Sequence, residues 1–116
     1  MTEHMQGPWT IEMLARNGEV LHRHRATRLP IRVGRAYDND FIVDDDYAAA
    51  HHVEIDAGED GALVLRDLGS RNGVVHAGRR VQQVVMQGDT VVRMGHTSLR
   101  VRAAGFPVAP EMVDRT

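Results

Sequence analysis

The chain meets a glycine, a proline or a cluster of Asn and Asp at intervals of about a dozen residues or fewer along its length. Helical apolar periodicity needs roughly three turns to build a buried face, so this punctuation leaves room only for short extended runs. Trp9 to Ala15 and Glu19 to Ala26 flank Asn17-Gly18, and Asn-Gly between two such runs predicts a hairpin because both positions accept positive φ. Pro30 opens a strand over Ile31 to Gly34, and the polar loop Tyr37-Asp38-Asn39-Asp40 leads to Phe41-Ile42-Val43. An acidic loop, Asp44-Asp45-Asp46, comes next. His52 to Asp56 alternates, with Val53 and Ile55 on one face, and turns at Gly58 to Gly61 into Ala62 to Arg66. Val74 to His76, Arg80 to Val85, Thr90 to Met94 and Ser98 to Arg102 complete the set. Roughly ten strands at this spacing predict an all-β sandwich. Tyr47 to His51, with three consecutive alanines, is as long as one helical turn and reads as a structured loop. The expected core comprises Ile11, Met13, Val33, Phe41, Val43, Val53, Ile55, Leu63, Leu65, Leu68, Val81, Val91 and Leu99.

A length of 116 residues is that of one ordinary domain. We expect it over residues 8–103, after a disordered 1–7 and before a proline-containing tail at 104–116 where two prolines fall in four residues. Neither the start of the chain nor any apolar run has the features of a signal peptide or the length of a membrane span, so no membrane insertion is expected within this segment. A cytoplasmic location is expected, as the cytoplasmic domain of a longer, membrane-linked protein if the chain continues.

Charge and composition exclude several chemistries. Basic and acidic residues number 14 and 16, for a net charge of −2, so nucleic acid is not an expected partner. Aromatic residues make up 4% of the chain, too few for a base-stacking platform. Every basic residue is arginine, which removes Schiff-base lysines and the phosphate-cradling lysine of a P-loop. With no cysteine there is no disulfide, thiolate metal site or cysteine nucleophile. Ser70 and Ser98 are the only serines, and neither lies in a nucleophile elbow. The expected function is therefore non-enzymatic, with no cofactor. His22 and His24, at i and i+2 on one strand face, together with His51, His52 and His76, supply donors for a metal, but their spacing fits no ligand motif. Arg23, Arg25 and Arg28 read as a charged strand that discourages edge pairing.

Four constellations remain: Gly34-Arg35 after a strand, a loop ending in His51-His52, the turn Asp67-Leu68-Gly69-Ser70-Arg71-Asn72-Gly73, and Gln87-Gly88-Asp89 followed by Val91. In order and spacing they resemble the forkhead-associated (FHA) domain, over residues 29–102. The resemblance implies a sandwich of about 11 strands, of the FHA and SMAD type, that reads phosphothreonine peptides with the loops at one end. It implies that Arg35 meets the phosphate and Asn72 the peptide backbone, while Gly34, His52, Gly69 and Gly73 are structural. The residue chemistry agrees, since guanidinium presents a permanently charged planar fork to phosphate oxygens and an amide both donates and accepts. Other readings of the same residues stay open: an ion pair of Arg35 with Asp38 or Asp40, and a plain turn for Asn72-Gly73.

The departures from the pattern concern the pocket itself. The phosphate-binding serine falls at Ala49, the adjacent polar residue at Ala50, and the threonine before the asparagine at Arg71. One hydrogen bond to a charged group contributes about 1.5 to 3 kcal/mol, so loss of the serine hydroxyl weakens phosphate binding by roughly ten- to a hundredfold. Arg71 and His51 are the residues placed to compensate. The expected function is a signalling adaptor that contacts a protein through Arg35, Ala49, Ala50, His51, Arg71 and Asn72, with weakened or lost phosphothreonine recognition. The alternatives are a working phosphothreonine reader built on Arg35, Arg71 and Asn72 and, more distantly, a histidine-based metal-binding protein.

Overall fold

The computed structural model describes residues 8–103. The expected disordered start and proline-containing tail lie outside the described residues. Eleven strands form, in chain order: β1 (Trp9–Leu14), β2 (Val20–Ala26), β3 (Ile31–Gly34), β4 (Phe41–Ile42), β5 (Val53–Ala57), β6 (Leu63–Asp67), β7 (Val74–His76), β8 (Arg79–Val81), β9 (Gln83–Met86), β10 (Thr90–Met94) and β11 (Thr97–Ala103). Among the described residues no helix is long and apolar enough to cross a membrane.

A six-stranded sheet runs β2-β1-β11-β10-β7-β8, and a five-stranded sheet runs β4-β3-β5-β6-β9. The hairpin predicted at Asn17-Gly18 is β1–β2, with Gly18 at φ +90°. The hairpin turning at Gly58 to Gly61 is β5–β6, and its register Ile55↔Leu65 puts both residues inward. Inward-facing residues of the two sheets form one core, centred on Ile11, Ile31, Val33, Phe41, Ile55, Leu63, Leu65 and Leu99. β4 pairs in parallel with β3, and Val43 continues it by donating its N–H to Gly34 O at 2.9 Å.

Three expectations are corrected. The run Arg80 to Val85 is two strands. It breaks at Gln82, so that β8 joins the six-stranded sheet and β9 the five-stranded one, while Gln82 O accepts the Asp67 N–H at 2.9 Å. Val91 is 47% exposed, because the pleat of β10 turns Thr90, Val92 and Met94 inward and sends Val91 out. Leu68 is 40% exposed because it lies past the end of β6, in the turn. Met13 and Val81 pack against the core while partly exposed.

Alternation also turns Glu12 outward, between Ile11 and Met13, yet it is 1% exposed. Its cross-strand neighbours Arg23 and Arg100 fold over it, their Nε atoms 2.9 and 2.7 Å from the carboxylate. Burial pushes the Glu12 pKa up, but the two guanidinium hydrogen bonds and their charges outweigh burial and hold it below the ordinary range. Arg23 and Arg25 lie exposed on β2, an edge of its sheet.

Candidate functional site

The site is assembled at one end of the sandwich from the loop after β3, the segment between β4 and β5, and the turn between β6 and β7. Arg35 N donates to Ala49 O at 3.0 Å and Ala36 N to Ala50 O at 3.1 Å, so residues 49–50 continue the ladder beside β3. This approach needs a glycine at 34, since a Cβ there would stand 2.3 Å from Ala50 O. Asn39 braces the same segment, its buried Nδ2 donating to Ala36 O and to Ala50 O at 2.8 and 2.7 Å.

His52 joins this segment to the turn. It is fully buried; its Nδ1 accepts the Ala49 N–H at 3.0 Å and its Nε2 lies 2.9 Å from Gly73 O. A carbonyl can only accept, so Nε2 carries the proton and the ring is the neutral Nε2–H tautomer. The turn is held internally as well. Asp67 Oδ1 accepts the Ser70 N–H, Ser70 Oγ accepts the Gly73 N–H, and Leu68 N donates to His52 O. Gly69 and Gly73 take φ +85° and +74°. The Arg80 guanidinium packs over Gly73 and donates to Arg71 O.

The expected binding residues gather around this frame. Arg35 is exposed, and its Nε donates to Ala48 O at 3.1 Å. No carboxylate pairs with it among the described residues: Asp38 bonds to His51 and Asp40 accepts the Arg32 N–H. The Nε is tethered, and neither Nη group has a hydrogen-bond partner among the described residues. Asn72 is exposed, and its Nδ2 donates to Tyr47 O at 2.8 Å, which leaves Oδ1 as a free acceptor among the described residues. Ala49 is half-buried, whereas Ala50, His51 and Arg71 are exposed. The Arg71 side chain makes no hydrogen bond or ion pair among the described residues. His51 Nε2 donates to Asp38 Oδ1 at 2.7 Å and holds that carboxyl below its ordinary pKa.

Sequence reading did not single out Asp45, one of three consecutive aspartates. It alone of the three is buried: Oδ1 accepts the Tyr47 N–H, and Oδ2 accepts His96 N–H and Thr97 Oγ1–H, both at 2.7 Å. It thus pins the β4–β5 segment to the β10–β11 turn, where the Tyr47 and His96 rings meet with centroids 4.2 Å apart. Burial raises the Asp45 pKa, but the bonds from Thr97, Tyr47 and His96 outweigh it and hold the carboxyl below its ordinary value. A depressed folded pKa stabilises above the unfolded value and loses that contribution as pH falls through the folded one. Thermal unfolding from pH 7 to pH 3 should therefore show a steep fall in Tm beginning below about pH 4.5. Asp45→Asn should lower Tm at pH 7 and flatten that fall; an unchanged acid slope in the variant would count against the pin.

The histidines do not converge. His22 and His24 share a face, as alternation predicts, and stack on Phe41 with centroids 5.2 and 5.8 Å away. Among the described residues no three His, Asp or Glu side chains gather at metal-holding distances.

The chain as a whole is similar to known proteins. The family model of the FHA domain matches residues 31–95. The ABC transporter ATP-binding/permease protein Rv1747 of Mycobacterium tuberculosis is 33% identical over 69 residues, which are 60% of this chain. The match spans only 8% of that relative's length. Among solved structures, the FhaA FHA domain complexed with the intracellular domain of Rv3910 is 26% identical, with a TM-score of 0.65 over 81% of this chain and 99% of that one. Mycobacterium tuberculosis EmbR, in complex with a low affinity phosphopeptide, aligns with a TM-score of 0.71 at 23% identity over 89% of this chain and 26% of that one. The FHA domain of CT664 from Chlamydia trachomatis gives 0.70 at 24% identity, over 89% and 100%.

Proposed function

The chain belongs to the forkhead-associated family, and from that premise we propose that it is a non-enzymatic adaptor that docks a phosphothreonine peptide of a protein partner on its loop end. The observation that carries this reading is Arg35. Its Nε is anchored on Ala48 O, its Nη groups have no partner among the described residues, and no carboxylate there neutralises it. A tethered, unpaired guanidinium is a two-pronged donor for phosphate oxygens. Asn72 stands across the His52 frame with Oδ1 positioned to accept a ligand backbone N–H. Affinity is reduced because Ala49 supplies no hydroxyl and its N–H is already given to His52. Arg71 adds an exposed cation beside the pocket. We place the domain on the cytoplasmic side of a longer protein, in line with its likeness to part of a transporter.

The test is an NMR titration with a degenerate phosphothreonine library and its unphosphorylated twin. Phosphate-dependent shifts are expected at the amides of Arg35, Ala49, Arg71 and Asn72, lost in Arg35→Ala. Ala49→Ser restores a hydroxyl and should tighten binding by about ten- to a hundredfold. Equal shifts with both libraries would show a docking surface that ignores phosphate, and no shifts would reject the reader.

A further inference from the structure

The outward face of the six-stranded sheet gathers arginine. Ile11, Val92, Met94, Leu99 and Val101 take the inward positions of β1, β10 and β11. Alternation and register therefore send Arg23 and Arg25 of β2, Arg93 of β10, and Arg100 and Arg102 of β11 to the other side. They stand in rows across the strands: Thr10 lies between Arg25 and Arg102, and Glu12 between Arg23 and Arg100, while Arg93 faces Ser98.

This face is positive in an acidic chain. Against its five arginines stand two acids: Glu12, buried beneath Arg23 and Arg100, and Asp89, 3.1 Å from Arg102 Nε. Arg25 and Arg93 are exposed and pair with no carboxylate among the described residues. The β1–β2 turn at the border adds Arg16 and Glu19, which cancel, so an excess of positive charge collects here while the whole chain carries −2. Two aliphatic side chains share the face. Val91, opposite Arg100, is 47% exposed, and Leu21 is 61% exposed, next along β2 to His22, whose ring stacks inward on Phe41.

Charge and apolar exposure together decide the partner. A nucleic-acid backbone rewards the cations alone, whereas a bilayer draws cations to its headgroups and takes exposed aliphatic side chains into its interfacial layer. The arginines are spread over four neighbouring strands, about 14 Å across, which suits a plane of many anions better than one extended acidic segment. We propose that this face docks on an anionic phospholipid surface, with Arg25 and Arg93 meeting headgroup phosphates and Leu21 and Val91 entering the interfacial layer. The loops that carry Arg35 and Asn72 lie at an end of the sandwich, so docking by the face leaves them open. The inference uses none of the residues of the phosphothreonine reading and stands or falls apart from it.

Co-sedimentation with lipid vesicles tests it, at low salt and at a temperature where each protein is folded. The wild type should bind vesicles of phosphatidylcholine with 40% phosphatidylglycerol at least about fivefold better than pure phosphatidylcholine, and lose that preference at about 0.5 M salt. Arg25→Glu/Arg93→Glu should abolish the preference. Arg28→Glu/Arg66→Glu makes the same change in net charge with residues outside the face and should keep at least about half of it. No preference in the wild type, a preference that survives Arg25→Glu/Arg93→Glu, or equal loss in both double variants would overturn the proposal. Binding of a mixed-sequence DNA duplex without binding of anionic vesicles would overturn it as well and give the face to nucleic acid.

Discussion

Gly34→Ala is expected to be the most damaging single methyl that this domain can receive at its loop end. The added carbon would stand 2.3 Å from Ala50 O, 2.9 Å from Ala50 C and 3.0 Å from Ala49 O. All three atoms are backbone, so no rotamer change relieves the contact. The 49–50 segment must lift from β3, breaking the Arg35–Ala49 and Ala36–Ala50 bonds. Overpacking with loss of such bonds costs about 2 to 4 kcal/mol, which lowers the Tm of a domain this size by on the order of 15 °C. Phosphopeptide binding should be lost well below that temperature, because Arg35 is anchored on Ala48 O of the same segment. Gly88→Ala is the matched control: nothing lies within 4 Å of its Cβ position, and Tm should stay within about 2 °C of wild type. Equal Tm values for the two variants would refute the close-approach argument.

His52→Ala should rank second, at about 3 kcal/mol, because it empties a buried volume and strands the Ala49 N–H and Gly73 O together. A purely structural loss and a positioning role separate in hydrogen exchange at temperatures where the variant is folded. The Ala49 amide should lose protection while β1, β10 and β11 keep theirs, and peptide affinity should fall at least about tenfold. His52→Gln, which can still accept one hydrogen bond and donate another, should recover part of that affinity. Unchanged Ala49 protection in His52→Ala would falsify the clamp.

Much of this was legible in the sequence, for a physical reason. Turn residues with fixed φ demands sit between apolar runs of strand length, so Asn17-Gly18 and Gly58 to Gly61 announce their hairpins without reference to anything distant. The sandwich and most of its core follow. Legibility ends where two adjacent residues compete for one face. Val91 and Val92 compete in this way, although alternation joins Val92 to Met94 and Val91 to Arg93, and the register with β11 puts Val92 inward. Arg80 to Val85 offers no glycine or proline at Gln82, so the change of sheet there leaves no local mark. At the candidate site, Gly34, Arg35, Asn72 and Gly73 stood out through a motif. Asp45 did not, since three neighbouring aspartates are chemically alike until the β10–β11 turn supplies donors to one of them. Arg16 lies far in sequence from Arg93 and His96, and only the β1–β11–β10 pairing brings the three to one groove beside Asn72.

The contacts that hold the loop end together are made largely by main-chain atoms: the carbonyls of Tyr47, Ala48, Ala49, Ala50 and Gly73, and the N–H groups of Arg35, Ala36 and Ala49. Main-chain atoms are present whatever the side chain, so the outward positions 49, 50 and 71 are free to vary without unfastening the scaffold. Ligand preference can drift, or be redesigned, by exchanging those three side chains. Inheritance of the shape is thereby separated from inheritance of the specificity.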